Sequence, residues 1–349
     1  MSKALNVGII YTEVLSEITN NTTNKNNSNF IDLSEAEYEY GLEVIKENLK
    51  AEGYSVCHFG LKKDIKQLID FIQNSKLDII FNLCESYNHE SINEMYIAGI
   101  YELLQIPYTG NRSWTLGTLI KKWKVKDILE KYGYLTPKYH LLHNLSNFSK
   151  IENLKYPLIV KPSREDASVG INNSSIVNDI DELKKQVEYV YNLVKQPILI
   201  EEYIDGRELN VAIFGNDSPE VLPISEIDFT ALPDNYPKIV TYSAKWHENS
   251  PEYIGTQGVC PAKLDKEIEE NLKRISLEIY KIFDCSGYAR IDFRLDKNSN
   301  PYILEVNPNP DISIDAGFYR SAKNAGYTYS GMLKRIIELG LEKFHSKLL

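Results

Sequence analysis

Cysteine is scarce in this sequence and long hydrophobic segments are missing, and each absence excludes a class of protein. Only 4 cysteines occur in 349 residues. Cys57, Cys84, Cys260 and Cys285 lie in apolar contexts without C-x-x-C spacing, so we predict buried free thiols in a reducing compartment rather than disulfides or a zinc site. No apolar run reaches the roughly 18 to 20 residues of a membrane span, and the N-terminal one is too short for a signal peptide. We therefore predict a soluble, cytoplasmic protein.

An excess of positive charge is missing as well. The chain has 39 lysine and arginine residues against 49 aspartate and glutamate residues, a formal net charge of -10. Proteins that bind nucleic acid or anionic membranes present a basic face, so we predict neither kind of partner. The sequence also contains no internal repeat and no heptad pattern. Its 43% hydrophobic and 25% charged residues are typical of globular proteins, and this length accommodates two or three domains.

Short apolar strands alternate with helical patterns in the first third of the chain. Strands are predicted over 5–11, 56–59 and 78–84. One helix is predicted to begin at Ser34, where Glu37 completes a capping box, and a second lies near 68–72. This alternation favours a wound parallel sheet. The Asn- and Thr-rich run 16–30 is predicted to be a mobile loop, a neutral insertion.

The remaining two thirds mix helices and strands, so the fold class predicted for the whole chain is α/β. The predicted elements are a helix over 113–132, a strand over 156–163, a helix that begins at Asp179, strands within 197–215 and 221–227, a loop over 241–253, a helix over 265–284, a hairpin over 288–307 and a final helix near 328–341.

The hairpin carries polar side chains in strands that are otherwise apolar. Period-two alternation puts Arg290, Asp292 and Arg294 on one face of the first strand. It puts Ile303, Glu305 and Asn307 on one face of the second. Two carboxylates about 5 Å apart repel by roughly 3 kcal/mol at an effective dielectric near 20, which suggests a cation between them. Two carboxylates and an amide suit Mg²⁺. The alternative is a solvated hairpin face on which Arg290 neutralises the acids.

Three further features suggest a nucleotide site, although each has an ordinary structural explanation. Lys161 ends an apolar strand, either as an anion ligand or as a cation that reaches to solvent. The loop after it contains hydroxyls and Gly170 and could wrap a phosphate with backbone N–H groups, but it does not match a Walker A loop. Glu208 could accept hydrogen bonds from sugar hydroxyls or lie on the surface.

Taken in order, these segments resemble the ATP-grasp superfamily, and specifically its D-alanine–D-alanine ligase-like branch. The matching segments are "KKWKVKDILEKYG", "YPLIVKPSREDASVG", "LIEEYIDGREL", "SAKWH" and "ARIDFRLDKNSNPYILEVNPNP". The resemblance covers most of 106–341 and is looser before that. It implies a wound parallel-sheet pre-grasp domain (1–112), followed by a central (113–206) and a C-terminal (207–349) α+β subdomain that clasp ATP.

The resemblance also implies roles for individual residues. Those that would bind the nucleotide are Lys122 and Lys161 (phosphates and the adenine side), Ser168 (closing over the phosphates), Glu201, Glu202, Tyr203 and Ile204 (the adenine hinge), Glu208 (ribose) and Lys245 (γ-phosphate). Asp292, Glu305 and Asn307 would hold Mg²⁺, with two ions expected and Mn²⁺ as an alternative. Arg290 would stabilise the transferred phosphoryl group, with Lys245 and Ser168 as further catalytic residues.

The implied chemistry is attack of a carboxylate on the γ-phosphate, which gives an acyl phosphate and ADP, followed by displacement of phosphate by an amine or a carrier thiol. The alternatives are a D-alanine–D-alanine ligase of cell-wall synthesis and an ATP-binding module without catalysis. A homodimer is a further implication, and the substrates are small molecules.

Several departures fall where this branch shapes its amino-acid pocket. The family's G-G-x-S-x-E run is replaced by "YTEVLSEITNN", and its H-G-x-x-G-E-D-G string by "NLCESYNHESINEM". Ala167 replaces a serine, Trp246 a tyrosine and Asp311 a glycine. We therefore predict a changed substrate pocket. Asp311 and Asp315 are predicted either to cap the helix that follows or to bind a cationic acceptor.

Overall fold

The computed structural model describes residues 4–13, 41–88, 90–143, 145, 148–165 and 168–346. The predicted loop over 16–30 and the predicted helix start at Ser34 lie outside these residues. The described helices are α1 (41–51), α2 (Ile65–Asn74), α3 (Glu94–Leu103), α4 (Ser113–Leu119), α5 (Lys122–Lys131), α6 (Ile180–Val194), α7 (Tyr242–Trp246), α8 (Pro251–Ile254), α9 (Lys266–Ile282), α10 (Gly317–Asn324) and α11 (Tyr329–His345). Single 3₁₀ turns cover Ser91–Asn93, Ser149–Asn153 and Asn173–Ser175.

Most strands agree with the predicted apolar runs to within a few residues. The strands over 139–142, 176–177 and 257–259 were not predicted, and the predicted strand over 221–227 is two separate strands. The strands are β1 (Asn6–Thr12), β2 (Ser55–Leu61), β3 (Ile79–Leu83), β4 (Tyr139–Leu142), β5 (Leu158–Pro162), β6 (Ile176–Val177), β7 (Ile198–Glu202), β8 (Arg207–Gly215), β9 (Glu220–Val221), β10 (Ser225–Asp228), β11 (Gln257–Val259), β12 (Gly287–Leu295) and β13 (Pro301–Asn307).

These strands form three sheets. The first is parallel, with the order β2-β1-β3, as the strand–helix alternation predicts. The second is antiparallel, with the order β4-β7-β5-β6, and the third is antiparallel, with the order β11-β10-β8-β12-β13 and β9 paired to β8. Each sheet lies within one of the three predicted domain ranges. The exact boundaries of those ranges stay a prediction.

The C-terminal helices hold the first and third sheets together. One apolar core joins Val7 and Phe81 of the first sheet to Ile336 of α11. Asn111, in the connection after the first sheet, donates from Nδ2 to the Tyr288 carbonyl oxygen at 2.7 Å and to the Pro308 carbonyl oxygen at 2.6 Å. The first sheet is therefore fixed against the end of the β12–β13 hairpin, beside its polar face.

The predicted helix over 113–132 is wrong in one respect, because it is broken into α4 and α5. Lys121 between them has φ -90° and ψ 80°, which is outside the helical region and interrupts the ladder of hydrogen bonds. The predicted loop over 241–253 is also wrong, since it contains α7 and α8. Each is capped by a hydroxyl, with Thr241 accepting from the Ala244 N–H at 3.1 Å and Ser250 from the Tyr253 N–H at 3.0 Å.

Neither Asp311 nor Asp315 caps a helix, so that prediction is wrong. The N-cap position of α10 is Ala316, which makes no side-chain capping bond. Asp311 instead accepts from the Ser313 N–H at 2.8 Å, which closes a local turn. The charge of Asp311 opposes the lowering of the pKa of Lys245, which places its carboxylate within electrostatic reach of that lysine.

All four cysteines are free thiols. Cys84 and Cys285 are buried as predicted, and burial raises the pKa of the Cys84 thiol to about 12. Cys57 and Cys260 are only half-buried. Within the described ranges, none of the helices is long and apolar enough to cross a membrane.

Candidate active site

The β12–β13 hairpin brings the predicted metal ligands together. The two strands are antiparallel, with Arg290 opposite Asn307 and Asp292 opposite Glu305. The register then shifts, because Phe293 lies opposite Ile303 and leaves Leu304 as an extra residue. This β-bulge turns Ile303 into the apolar core. The predicted position of Ile303 on the polar face is therefore wrong, whereas the convergence of Asp292, Glu305 and Asn307 agrees with the pairing.

Asp292 is buried and strongly hydrogen-bonded. It is 8% exposed and accepts two bonds from Arg290, from Nε to Oδ1 and from Nη2 to Oδ2, each at 2.8 Å. Asn210 of β8 donates to Oδ1 at 2.8 Å. Burial by itself would lower the pKa of Arg290, but the charge and hydrogen bonds of Asp292 outweigh burial and raise it. Arg290 thus neutralises Asp292, as the alternative interpretation of the hairpin predicts.

Glu305 also contacts a cation. Nζ of Lys122, at the start of α5, lies 2.6 Å from Oε1 of Glu305, and Lys122 is buried. The helix break at Lys121 starts α5 at the residue that reaches the hairpin. The two acids are therefore balanced by two bases, and a metal ion at this face must share the carboxylates with those bases.

The hairpin offers oxygen ligands of the kind that a hard divalent cation prefers. It offers two carboxylates on paired strands and the Asn307 amide oxygen, which accepts from the Asn309 N–H at 2.9 Å and has a second lone pair. Among the described residues, no three His, Cys, Asp or Glu side chains are grouped as a metal site. A site here therefore depends on the amide oxygen and on oxygens supplied by a substrate.

A second charged cluster lies between α5 and the second sheet. Glu201 of β7 and Lys126 of α5 are each 1% exposed, and Lys126 Nζ lies 2.9 Å from Glu201 Oε1. Lys161 of β5 lies 2.7 Å from Oε2 of the same carboxylate. Burial would raise the pKa of Glu201, but Lys126 and Lys161 hold it low. Burial lowers the pKa of Lys126 to about 8.

Lys126 is a component that the sequence analysis missed. Its signal is its spacing, because a lysine four residues after Lys122 lies on the same face of a helix. Lys122 therefore contacts the third sheet and Lys126 contacts the second, and α5 connects the two. Glu201, predicted as part of the hinge, has its side chain between two lysines.

The burial of Lys126 gives a prediction about pH. The pKa of Lys126 is about 8 in the folded chain and 10.5 when unperturbed. Between these two pH values the unfolded chain binds more protons than the folded chain, so Lys126 destabilises the fold less as pH rises. We expect the free energy of unfolding of the protein, minus that of Lys126→Met, to rise by at most about 1.4 kcal/mol per pH unit above pH 8. Denaturation at pH 7 to 10 measures this difference. Lys273→Met, at a surface pair, should show no such trend, and a flat curve for Lys126 would contradict its burial as a charged group.

The predicted hinge is the connection between the second and third sheets. Glu202 ends β7, and Tyr203 and Ile204 lie before β8. The backbone N–H of Glu202 donates to the Lys138 carbonyl oxygen at 2.9 Å, and that of Tyr203 donates to the Pro157 carbonyl oxygen at 2.9 Å. These bonds hold the connection in place on the second sheet.

Glu208 is ion-paired, which the sequence analysis did not anticipate. Arg294 of β12 is 3% exposed and donates from Nη2 to Glu208 Oε2 at 2.8 Å and from Nη1 to the Gly206 carbonyl oxygen at 3.1 Å. Its guanidinium also lies over the rings of Tyr203, 5.5 Å from the centroid, and Phe229, 5.3 Å from the centroid. The hinge end of the third sheet is therefore fixed by this arginine.

Ser168 and Lys245 lie in segments that contact each other. Ser168, at φ +61°, donates from Oγ to the Val240 carbonyl oxygen at 2.9 Å. Lys245 of α7 has an exposed side chain. Partial desolvation by the surrounding protein lowers its pKa, repulsion from Arg290 adds to this, and Glu305 and Asp292 act in the opposite sense. Ser168 therefore contacts the segment before α7, and Lys245 lies near enough to the hairpin acids and Arg290 to be affected by their charges.

Comparison with known proteins gives a consistent family. Residues 129–338 match the family model described as D-ala D-ala ligase C-terminus. A D-alanine–D-alanine ligase from Carboxydothermus hydrogenoformans is 31% identical over 287 residues, 76% of this chain and 87% of the relative. An uncharacterized protein, y4sG, from Sinorhizobium fredii is 29% identical over 266 residues, 76% of this chain and 75% of the relative.

Solved structures extend the similarity to nearly the whole chain. The crystal structure of D-alanine–D-alanine ligase from Bacillus anthracis complexed with ATP has a TM-score of 0.75 and 27% identity, covering 99% of this chain and 100% of the other. The VanG D-Ala:D-Ser ligase from Enterococcus faecalis has a TM-score of 0.71 at 20% identity, covering 97% of this chain and 100% of the other. At 20% identity, the similarity to the VanG ligase shows only a shared fold.

Proposed function

The chain belongs to the D-alanine–D-alanine ligase family of the ATP-grasp superfamily and is an ATP-dependent ligase, and we propose that it joins a small carboxylate to an amine through an acyl phosphate, releasing ADP and phosphate. The observation that carries this proposal is the polar face of the third sheet, where Asp292 and Glu305 lie opposite each other and contact Arg290 and Lys122. Acids and bases held together in this way suit the transfer of a highly charged group.

We assign the nucleotide to the cleft between the second and third sheets. The residues that would bind it are Lys122, Lys161, Ser168, Glu201, Glu202, Tyr203, Ile204, Glu208 and Lys245. The support is that helix α5 carries both Lys122, paired to Glu305 of the third sheet, and Lys126, which shares Glu201 of the second sheet with Lys161. Asp292, Glu305 and Asn307 would hold Mg²⁺ or Mn²⁺, two ions in our proposal, and a bound ion supplies charge neutralisation at phosphate oxygens.

The reaction has two steps. A carboxylate oxygen of the first substrate attacks the γ-phosphorus of ATP, and the bond from that phosphorus to the β–γ bridging oxygen breaks, which gives an acyl phosphate and ADP. The amine nitrogen of the second substrate then attacks the acyl carbon, phosphate leaves, and the nitrogen loses a proton. Arg290 stays cationic throughout because Asp292 raises its pKa, and it would stabilise the charge on the transferred phosphoryl group together with Lys245.

We also propose that the amino-acid pocket differs from that of D-alanine–D-alanine ligases. Trp246 supports this, because its indole N–H is buried and has no hydrogen-bond partner among the described residues. Such a group is costly unless a substrate atom accepts from it. The second candidate is D-alanine–D-alanine ligase itself, which is favoured by the name and coverage of the 31% identical relative.

Phosphate release tests both candidates. We expect the protein with ATP and Mg²⁺ to release phosphate and ADP when supplied with one carboxylate from a panel of amino acids, hydroxy acids and aryl acids, with and without amine acceptors. Formation of D-alanyl-D-alanine from D-alanine would favour the second candidate, and its absence would end it. Release of AMP and pyrophosphate would contradict the acyl-phosphate route. Phosphate release that is independent of every carboxylate would contradict the ligase proposal.

A further inference from the structure

Arg320 of α10 reaches the polar face of the third sheet. Residues alternate faces along a strand, and the Asn210–Asp292 hydrogen bond shows that these two side chains share one face. Ser225 of β10 lies opposite Asn210 in the register, so it shares that face too. Nη1 of Arg320 donates to Ser225 Oγ at 3.2 Å. The polar face therefore continues from the hairpin acids across two strands and ends at this guanidinium.

The sheet leaves space for the Arg320 side chain at Gly258. A Cβ placed on Gly258 of the edge strand β11 would lie 1.4 Å from Nη1 of Arg320 and 1.9 Å from its Cζ. The guanidinium therefore packs directly on the Gly258 backbone, in space that another side chain would fill. Phe318, two residues earlier on α10, packs edge-to-face on Phe214 of β8 at 5.0 Å, which fixes the helix to the same face.

Arg320 has no carboxylate partner among the described residues. It is half-buried, and its described side-chain hydrogen bond is the long one to Ser225. The other arginines of this face, Arg290 and Arg294, are paired to Asp292 and Glu208. Burial lowers the pKa of Arg320, Cys260 and Asp315 act in the opposite sense, and repulsion from Arg290 adds to the lowering. A partly desolvated guanidinium without a carboxylate partner among the described residues favours an anion from outside the chain.

We propose that Arg320 is a specificity-determining residue that binds the non-reacting carboxylate of the amine substrate. This inference rests on the proposed ligase function and names the substrate class as amino acids with a free carboxylate. Strands in a sheet are about 4.8 Å apart, so Ser225 lies roughly 10 Å from Asp292. That separation suits the far end of a small amino acid whose nitrogen reaches the reacting centre. The carboxylate that becomes phosphorylated belongs to the first substrate and would lie beside Asp292 and Glu305 instead.

The test compares an acceptor with its carboxamide at saturating ATP, beginning with D-alanine and D-alaninamide and including the same pair for each amino acid that supports turnover. For Arg320→Gln we expect KM for the free carboxylate to rise by about 30-fold, the usual loss for a charge-assisted hydrogen bond. KM for ATP should change less than twofold. Turnover of the carboxamide, which we expect to be poor in the unaltered protein, should not change. Arg274→Gln, at a surface pair on α9, is the matched control.

Gly258→Ala provides a second variant that keeps the charge. Its methyl group must push the guanidinium aside, so KM for the carboxylate should rise while the net charge is unchanged. The double variant should be no worse than Arg320→Gln alone, because both changes act through one group. A melting temperature near that of the unaltered protein shows that these variants fold.

The outcomes separate this inference from the ligase proposal. If Arg320→Gln turns over with the same KM for the free carboxylate as the unaltered protein, this inference is overturned and the ligase proposal stands. A matching rise in KM for ATP overturns it in favour of a phosphate ligand. If no carboxylate supports turnover, the ligase proposal fails, and calorimetric titration of the nucleotide-bound protein with D-alanine and D-alaninamide tests Arg320 alone. Weaker binding of D-alanine by Arg320→Gln than by the unaltered protein supports the inference. Equal binding by the two proteins, or no detectable binding by the unaltered protein, overturns it.

Discussion

Replacing Glu305 with glutamine is expected to lower carboxylate-dependent phosphate release by about a thousandfold, because one carboxylate of a metal site supplies several kcal/mol of charge stabilisation. The change keeps the size of the side chain and removes its charge. It also leaves Lys122, which is buried 2.6 Å from Glu305, next to a neutral group. Phosphate release at a series of Mg²⁺ concentrations measures the effect, and the Mg²⁺ concentration for half-maximal rate should rise as well.

Glu269→Gln is the matched control for this change. Glu269 is paired to Lys273 at the same 2.6 Å distance, but on the exposed face of α9, so its loss should leave phosphate release unchanged. The double variant Glu305→Gln/Lys122→Met restores the charge balance. If it regains activity, the loss came from the charge imbalance at Lys122 and not from a metal ligand. Phosphate release within threefold of the unaltered protein in Glu305→Gln would remove Glu305 from the site.

Period-two alternation was enough to predict which acids of the hairpin meet, because Asp292 and Glu305 lie before the bulge in the register. The same rule fails for Ile303, since the extra residue Leu304 reverses the alternation of everything beyond it. The bulge leaves little trace in sequence because the extra residue Leu304 and its neighbour Ile303 are both apolar. The error is therefore local, and it lies on the core side of the strand.

Long-range ion pairs were the part of the site that sequence could not supply. Arg294 and Glu208 are 86 residues apart, and Arg320 and Ser225 are 95 apart, so their contacts depend on strand order and helix packing rather than on local pattern. The break at Lys121 is of the same kind, because tertiary contacts of Lys122 override helix propensity. Family resemblance supplied the proposed nucleotide residues, but Lys126, Asn210 and the pairing of Arg294 with Glu208 emerged only from the contacts.

Glu201→Gln is expected to lower the free energy of unfolding by about 3 to 5 kcal/mol, the usual effect of removing one partner from a buried ion pair. The carboxylate lies 2.9 Å from Lys126 and 2.7 Å from Lys161, so its loss leaves two lysine charges together in a buried site. Denaturation at pH 7 measures the effect. Lys161 also loses its fixed position, so affinity for ATP should fall in the same variant.

Two further variants test this prediction: a control at a surface ion pair, and a double variant that should recover stability. Glu278, on α9, contacts Arg274 at 2.8 Å and Tyr134 at 2.6 Å, but Arg274 and Glu278 are largely exposed, so Glu278→Gln should cost at most about 1 kcal/mol. Adding Lys126→Met to Glu201→Gln removes one of the two unpaired charges and should recover part of the lost stability. A loss below about 1 kcal/mol for Glu201→Gln, or no recovery in the double variant, would mean that water reaches these lysines and that α5 is not fixed to the second sheet by charge.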